Sequence, residues 1–204
     1  MRNATGQATF SLTNMSEQNI ISIATATQSR SLAGATAGRA ALPKLIAALP
    51  AQPGTVLLDF AGMELLTASA FREAILPLVK LLVNDAKPCV LVNASEVIRE
   101  EAAIAAERSG QVLIFARTSA DSSTLEEPTP VGVMDDKLAI ALDIVLKQGE
   151  ADAKAVSEQS GEGTVTTVWN NRLVALQKMG LLRERKVGKT KFYSPIVEGM
   201  SRGS

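Results

Sequence analysis

The chain has 204 residues and a formal net charge of zero, with 21 Lys plus Arg against 21 Asp plus Glu, so it has room for one large domain or two small ones, and its total charge gives no pointer to nucleic acid. Apolar residues make up 46 % but aromatics only 3 %; the core must be built from Ala, Leu, Val and Ile, which suits helices packed on a sheet. There is no histidine and one cysteine, Cys89, which excludes Ser-His-Asp and Cys-His catalysis, the usual zinc sites and an internal disulfide.

No enzyme activity, catalytic residue, cofactor or metal site is therefore expected, and the lone cysteine fits a reducing cytosol. No apolar stretch reaches the roughly 20 residues needed to cross a bilayer. The N-terminus (MRNATGQATFSLTNMSEQ) has no hydrophobic segment of a secretory signal, so the expected compartment is the cytoplasm.

Residues 1–18 read as a flexible N-terminus. A strand is predicted from Asn19 to Ala24 and a helix from about Thr36 to Leu49, ended by Pro50, with Pro43 either kinking it or marking its first turn. Thr55 to Phe60 (TVLLDF) reads as a buried central strand. A helix follows from about Ser69 to Asn84, with Phe71, Ile75, Leu78 and Leu82 at helical spacing and Pro77 as a kink. Pro88 to Asn93 is the next strand. Ser95 and Gly110 cap a further helix, and Gln111 to Arg117 is a fourth strand. The alternation predicts an α/β unit over 19–117 with at least part of its sheet parallel. The polar stretch 118–133, with Pro128 and Pro130, reads as a linker.

The last third, 134–196, predicts a small α+β unit. Asp135 and Asp136 start a helix with an apolar stripe of Leu138, Ala141, Leu142 and Val145, ended by Gly149. A short helix spans about Asp152 to Gln159. A glycine-rich turn, Gly161 to Gly163, leads to a third helix, roughly Thr166 to Met179. Two short strands around Val187-Gly188 come next, and 197–204 reads as a flexible tail. Charge divides sharply here. Gly163 to Phe192 holds seven Lys or Arg against one acid, Glu184, whereas 135–162 holds three bases against seven acids. At about 100° per residue the third helix places Val165, Trp169, Leu173 and Leu176 on a core face. Thr167, Asn170, Asn171, Val174 and Lys178 fall on the other face, which carries no acid. Its asparagines can pair with adenine edges or phosphates; a solvated face without a ligand is the plainer alternative.

Thr166 to Leu173 (TTVWNNRL), Leu176, Gly180-Leu181-Leu182, Arg183, Gly188 and Tyr193 together resemble winged helix-turn-helix regulators of the MarR and ArsR type. The resemblance implies a recognition helix and a basic wing, with Thr167, Asn170, Asn171, Arg172, Lys178, Arg185, Lys186, Lys189 and Lys191 as DNA-binding candidates. Val56 to Leu81, with Leu58-Asp59-Phe60, Gly62 and a hydroxyl-rich helix start, resembles the STAS domain of sulphate transporters and anti-sigma factor antagonists. Bacterial STAS-like domains are the nearer likeness, to which the upstream Ser29-Arg30 and Arg39 also point. In phosphorylated antagonists a serine at that helix start accepts phosphate, which implies Ser69 as a modification site. Here Thr67 stands where those proteins carry an acid, and Ala70 where they carry glycine. The competing role for Ser69 or Thr67 is a helix N-cap. The run Gly34 to Arg39 reads as a turn and close packing rather than a phosphate loop, Asp59 as a strand-end cap, and Cys89 as a small buried hydrophobe.

The expected whole is a STAS-like α/β unit fused to a winged helix: a bacterial, cytoplasmic transcription regulator. It would bind double-stranded DNA as a homodimer, with the first unit serving sensing, dimerisation, or binding of a protein partner or kinase. The alternative is an interaction module of the anti-sigma factor antagonist type whose winged helix docks protein.

Overall fold

A computed structural model describes residues 19–119, 124–161 and 165–202. The stretch 1–18 expected to be flexible lies outside the described residues, as does most of the glycine-rich turn before the third C-terminal helix. Among the described residues a five-stranded sheet forms in the order β1 (Ile20–Ser22), β3 (Val56–Asp59), β5 (Cys89–Val92), β6 (Leu113–Thr118), β7 (Leu125–Val131). The first four are parallel, and β7 runs antiparallel to β6. The sheet is mixed, mostly parallel, within an α/β chain.

The inner strands β3, β5 and β6 carry the apolar runs Val56–Leu58, Cys89–Val92 and Leu113–Ala116 because both faces of the sheet are covered there. Successive side chains point to opposite faces, so the sheet supplies two cores. Leu58, Leu91, Leu113 and Phe115 join one cluster with helices α2 (Gly34–Ala47), α3 (Ala68–Asn84) and α4 (Glu96–Ser109). α3 buries Phe71, Ala74, Ile75, Leu78 and Leu82 there. Gly38 of α2 lets the two helices close up: a Cβ on it would lie 2.5 Å from the Ala70 carbonyl oxygen. The helices run through Pro43 and Pro77 without a break in assignment.

Leu57, Val90, Val92, Val112, Ile114 and Ala116 face the other way and join the C-terminal part in a second cluster. That part comprises α5 (Asp136–Gln148), β8 (Ala151–Asp152), α6 (Ala153–Ser160), α7 (Thr166–Lys178), β9 (Leu182–Val187) and β10 (Thr190–Pro195). β10 lies between β8 and β9, antiparallel to both. Asp135 caps α5 by accepting from the Lys137 amide, and Asp152 caps α6 through the Ala155 amide. Each large aliphatic side chain fully buried in this shared core is worth about 1.5–3 kcal/mol. The covered sheet face is therefore a substantial share of what holds the chain together.

Several expectations are revised. The first strand stops at Ser22, whose hydroxyl caps a short helix α1 (Ile23–Thr27) by accepting from the Thr25 amide. Two-residue strands β2 (Ser31–Leu32) and β4 (Leu65–Leu66) pair in parallel outside the main sheet. The stretch read as a linker contains β7. Its prolines sit on an edge strand, where a missing N–H costs no ladder bond, so a composition that signals a loop is also an edge signal. Within the predicted tail the described residues 197–202 are tied down: Val197 and Met200 are buried, and the Ser201 amide donates to the Pro128 carbonyl.

Candidate nucleic-acid interface

Helix α7 divides as its spacing predicts, with two exceptions, Val165 and Val174; Val174, expected on the outer face, is partly buried against the second cluster. Trp169, Leu173 and Leu176 are fully buried. Val165 is not in the core: it stands at the N-cap, one turn beyond Trp169, and is 68 % exposed. On the opposite side Thr167 and Asn171 are exposed and Asn170 is half-buried. Arg172 lays its guanidinium over the Trp169 ring, 4.1 Å from the centroid, a cation–π contact that fixes its stem. Lys178 belongs elsewhere. It shares the angular face of Asn171 but sits at the far end of α7, where it lines a cavity of about 230 Å³ with Val79, Val83 and Asn84 of α3. The adjoining Gly180 meets α3 closely, since a Cβ there would lie 2.6 Å from Val83 Cγ2.

The hairpin register assigns the basic residues to two faces. Cross-strand partners share a face, and faces alternate along each strand. Arg183, Arg185 and Val187 of β9 lie with Ser194, Phe192 and Thr190 of β10, while Glu184 and Lys186 lie with Tyr193 and Lys191. Tyr193 is fully buried, so the second face looks onto the core. The cations differ in what they have left to give. Arg185 donates two hydrogen bonds to the Glu150 carboxylate, at 3.1 and 2.7 Å, and lies over the Phe192 ring. That hydrogen bonding, followed by the nearby charges of Arg185 and Arg183, holds the Glu150 carboxyl below its usual range. Lys191 is bound to Glu184 at 2.9 Å. The Tyr193 hydroxyl donates to the same carboxylate, and burial, reinforced by Glu184, pushes its pKa up to about 12. Among the described residues, exposed Lys186 and Lys189 have no such partner. Glu150 was not singled out by the sequence because it lies 35 positions from Arg185; an acid flanking a strand opposite a basic one is the signal that could have found it.

Ser69 is the second residue of α3 and half-buried. Thr67, not Ser69, caps the helix: its hydroxyl accepts from the Ala70 and Gly34 amides and lies 3.2 Å from the Ser69 hydroxyl. The Glu101 carboxylate of α4 accepts the Ala68 amide. The positive end of α3 is thus already served by a carboxylate, and a phosphate on Ser69 would meet that negative charge. Asp59 ties strand ends together by accepting from Asn93 Nδ2 and the Ala61 amide, while Asn93 Oδ1 accepts from Thr118. Cys89 is buried and its thiol is pushed up to about 12 by that burial, far from a reactive thiolate. No helix among the described residues is long and apolar enough to cross a membrane.

Of the sequence-derived DNA candidates, Thr167 and Asn171 are exposed and Asn170 half-buried at the start of α7, Lys186 and Lys189 are exposed at the hairpin tip, and Arg185 and Lys191 are paired with acids. No protein-family model and no curated protein matches the sequence.

Proposed function

We propose that the chain is a transcription regulator that binds double-stranded DNA through α7 and the β9–β10 hairpin. The observation that carries this reading is the conjunction of an acid-free, polar, exposed helix start with a hairpin tip bearing two unpaired lysines, both on the C-terminal part. The order α5, β8, α6, α7, β9, β10, with β8 beside β10, is the arrangement expected of a winged helix-turn-helix, and it supports assigning α7 as the reading helix and the hairpin as the wing. Lysines without acidic partners are the ones free to displace counterions from phosphates, the term that dominates affinity. The parallel strand–helix alternation of 19–117 supports a STAS-like unit, which in this reading serves dimerisation or partner binding in the cytoplasm. A single reading helix gives a small footprint, so a homodimer on a two-fold site completes the proposal.

The test is a gel shift with the protein's own upstream DNA at two salt concentrations. Retarded duplex whose affinity falls steeply with salt is the expected result; absence of any shift at the lower salt sinks the reading. A second reading, a protein-interaction module of the antagonist type, is favoured by one observation. Exposed Val97 and Ile104 flank Glu101 on α4, beside exposed Leu65 and the start of α3. Partner capture that survives loss of the wing lysines would favour it.

A further inference from the structure

Among the described residues of 134–202, two large apolar side chains are exposed: Val165 at 68 % and Val187 at 49 %. They stand at the N-cap of α7 and at the end of β9 beside the wing turn, the two ends of the proposed DNA surface. Val165 is held there by neither a side-chain cap nor a place in the core. It makes no side-chain cap bond, and valine is among the poorest N-cap residues. It also falls off the end of the core stripe that begins at Trp169.

Resting on the DNA-binding reading above, we propose that Val165 is a specificity determinant that packs on the 5-methyl group of thymine in the major groove. The residues at the start of a reading helix are those that reach base edges. Among the groups those edges display in the major groove, the thymine methyl is the apolar one. A branched valine offers two methyl groups on a stiff χ1, so little freedom is lost on contact. Thr167 and Asn171, exposed on the same end of the helix, are left the polar edges of neighbouring pairs. Lys186 and Lys189 flank Val187 at the wing, where backbone phosphates rather than base edges set the contacts, so Val187 carries no thymine preference.

The experiment uses the full chain to select duplexes from a random pool by gel shift at one fixed salt concentration. The selected site is then remade with deoxyuridine at each thymine in turn, which removes the methyl and nothing else. Wild type loses about three- to fivefold in affinity at one or more positions, the worth of one buried methyl-sized group. Val165→Ala binds the thymine and uracil forms equally, and Val187→Ala keeps the wild-type difference. The proposal is overturned if wild type is indifferent to every thymine-to-uracil change, or if Val165→Ala retains the loss. If wild type retains no duplex from the pool, the DNA-binding reading itself falls, an outcome distinct from binding without methyl dependence.

Discussion

Asn170 and Asn171 are neighbours in sequence yet differ in what they can reach, because one is half-buried and the other open to solvent. Asn171→Ala is expected to cost about 1–3 kcal/mol of discrimination on a selected site if it makes a bidentate base contact. Asn170→Ala should cost less of it. Equal losses on selected and random duplex, measured by competition gel shift, would reassign Asn171 to a phosphate. The helical repeat made this face legible from sequence, since 100° per residue sorts Trp169 from Asn171 with no knowledge of the surroundings. It could not sort Val165, because the stripe outruns the core that it faces. Ser69 shows a different limit. Its position at a helix start was legible, but Glu101, 32 residues away, was not. Ser69→Asp sets a carboxylate against that of Glu101 and should lower the melting temperature; Ser69→Asp with Glu101→Gln should recover most of the loss. If Ser69→Asp melts like wild type, Glu101 does not govern that helix start.

The hairpin was legible as an element from its alternation and its Gly188 turn, and its basic character from composition. Which of its cations are free was not, because pairing depends on register and on a strand arriving from elsewhere. Lys191 faces Glu184 in a half-buried pair and Arg185 meets Glu150 in a more exposed one; surface pairs add little stability but do neutralise charge. Changing Lys186 and Lys189 together to Ala should therefore weaken binding to any duplex and flatten the dependence on salt by roughly two released counterions. Lys191→Ala alone should do less, and Glu184→Gln should strengthen binding by freeing Lys191. A salt titration of all three variants decides the matter: a Lys191→Ala effect as large as the double change would mean that the Glu184 pair opens on DNA. The strand β7 was misread for an element-level reason. Pro128 and Pro130 signal a break in a central strand but are tolerated on an edge, and sequence alone does not say which strand will be the edge.

At the scale of the molecule, the alternation of strands and helices was readable, and the docking of the C-terminal part was not. Leu57, Val90 and Ile114 announce a buried face without saying what covers it. Because that face and Trp169 share one core, denaturant unfolding should show one transition, with the fluorescence of the sole tryptophan and far-ultraviolet circular dichroism superimposing. Two separated transitions would indicate two independent units. Alkaline pH should weaken the fold as well. Cys89 and Tyr193 both hold their protons more tightly folded than unfolded, so the stability they lend is complete below about pH 9 and is lost as the pH climbs to about 12. Melting against pH should show this decline, starting later in Cys89→Ala; a flat profile over that range would contradict the burial of both groups. The proposed homodimer calls for light scattering at micromolar concentration, where a particle of 21.5 kDa alone, with and without DNA, would count against it.

The close approach of Gly180, just after α7, to Val83 of α3 bears on how this protein could be re-engineered. A foreign segment in place of the C-terminal part would need a glycine in the same place and a complementary apolar underside, or it would leave the back of the sheet wet. A chimera made by cutting near residue 133 should accordingly aggregate unless Leu57, Val90, Val92 and Ile114 are made polar with it. The same constraint ties the inheritance of the two parts: a change on either side of the seam alters the fitness of changes on the other.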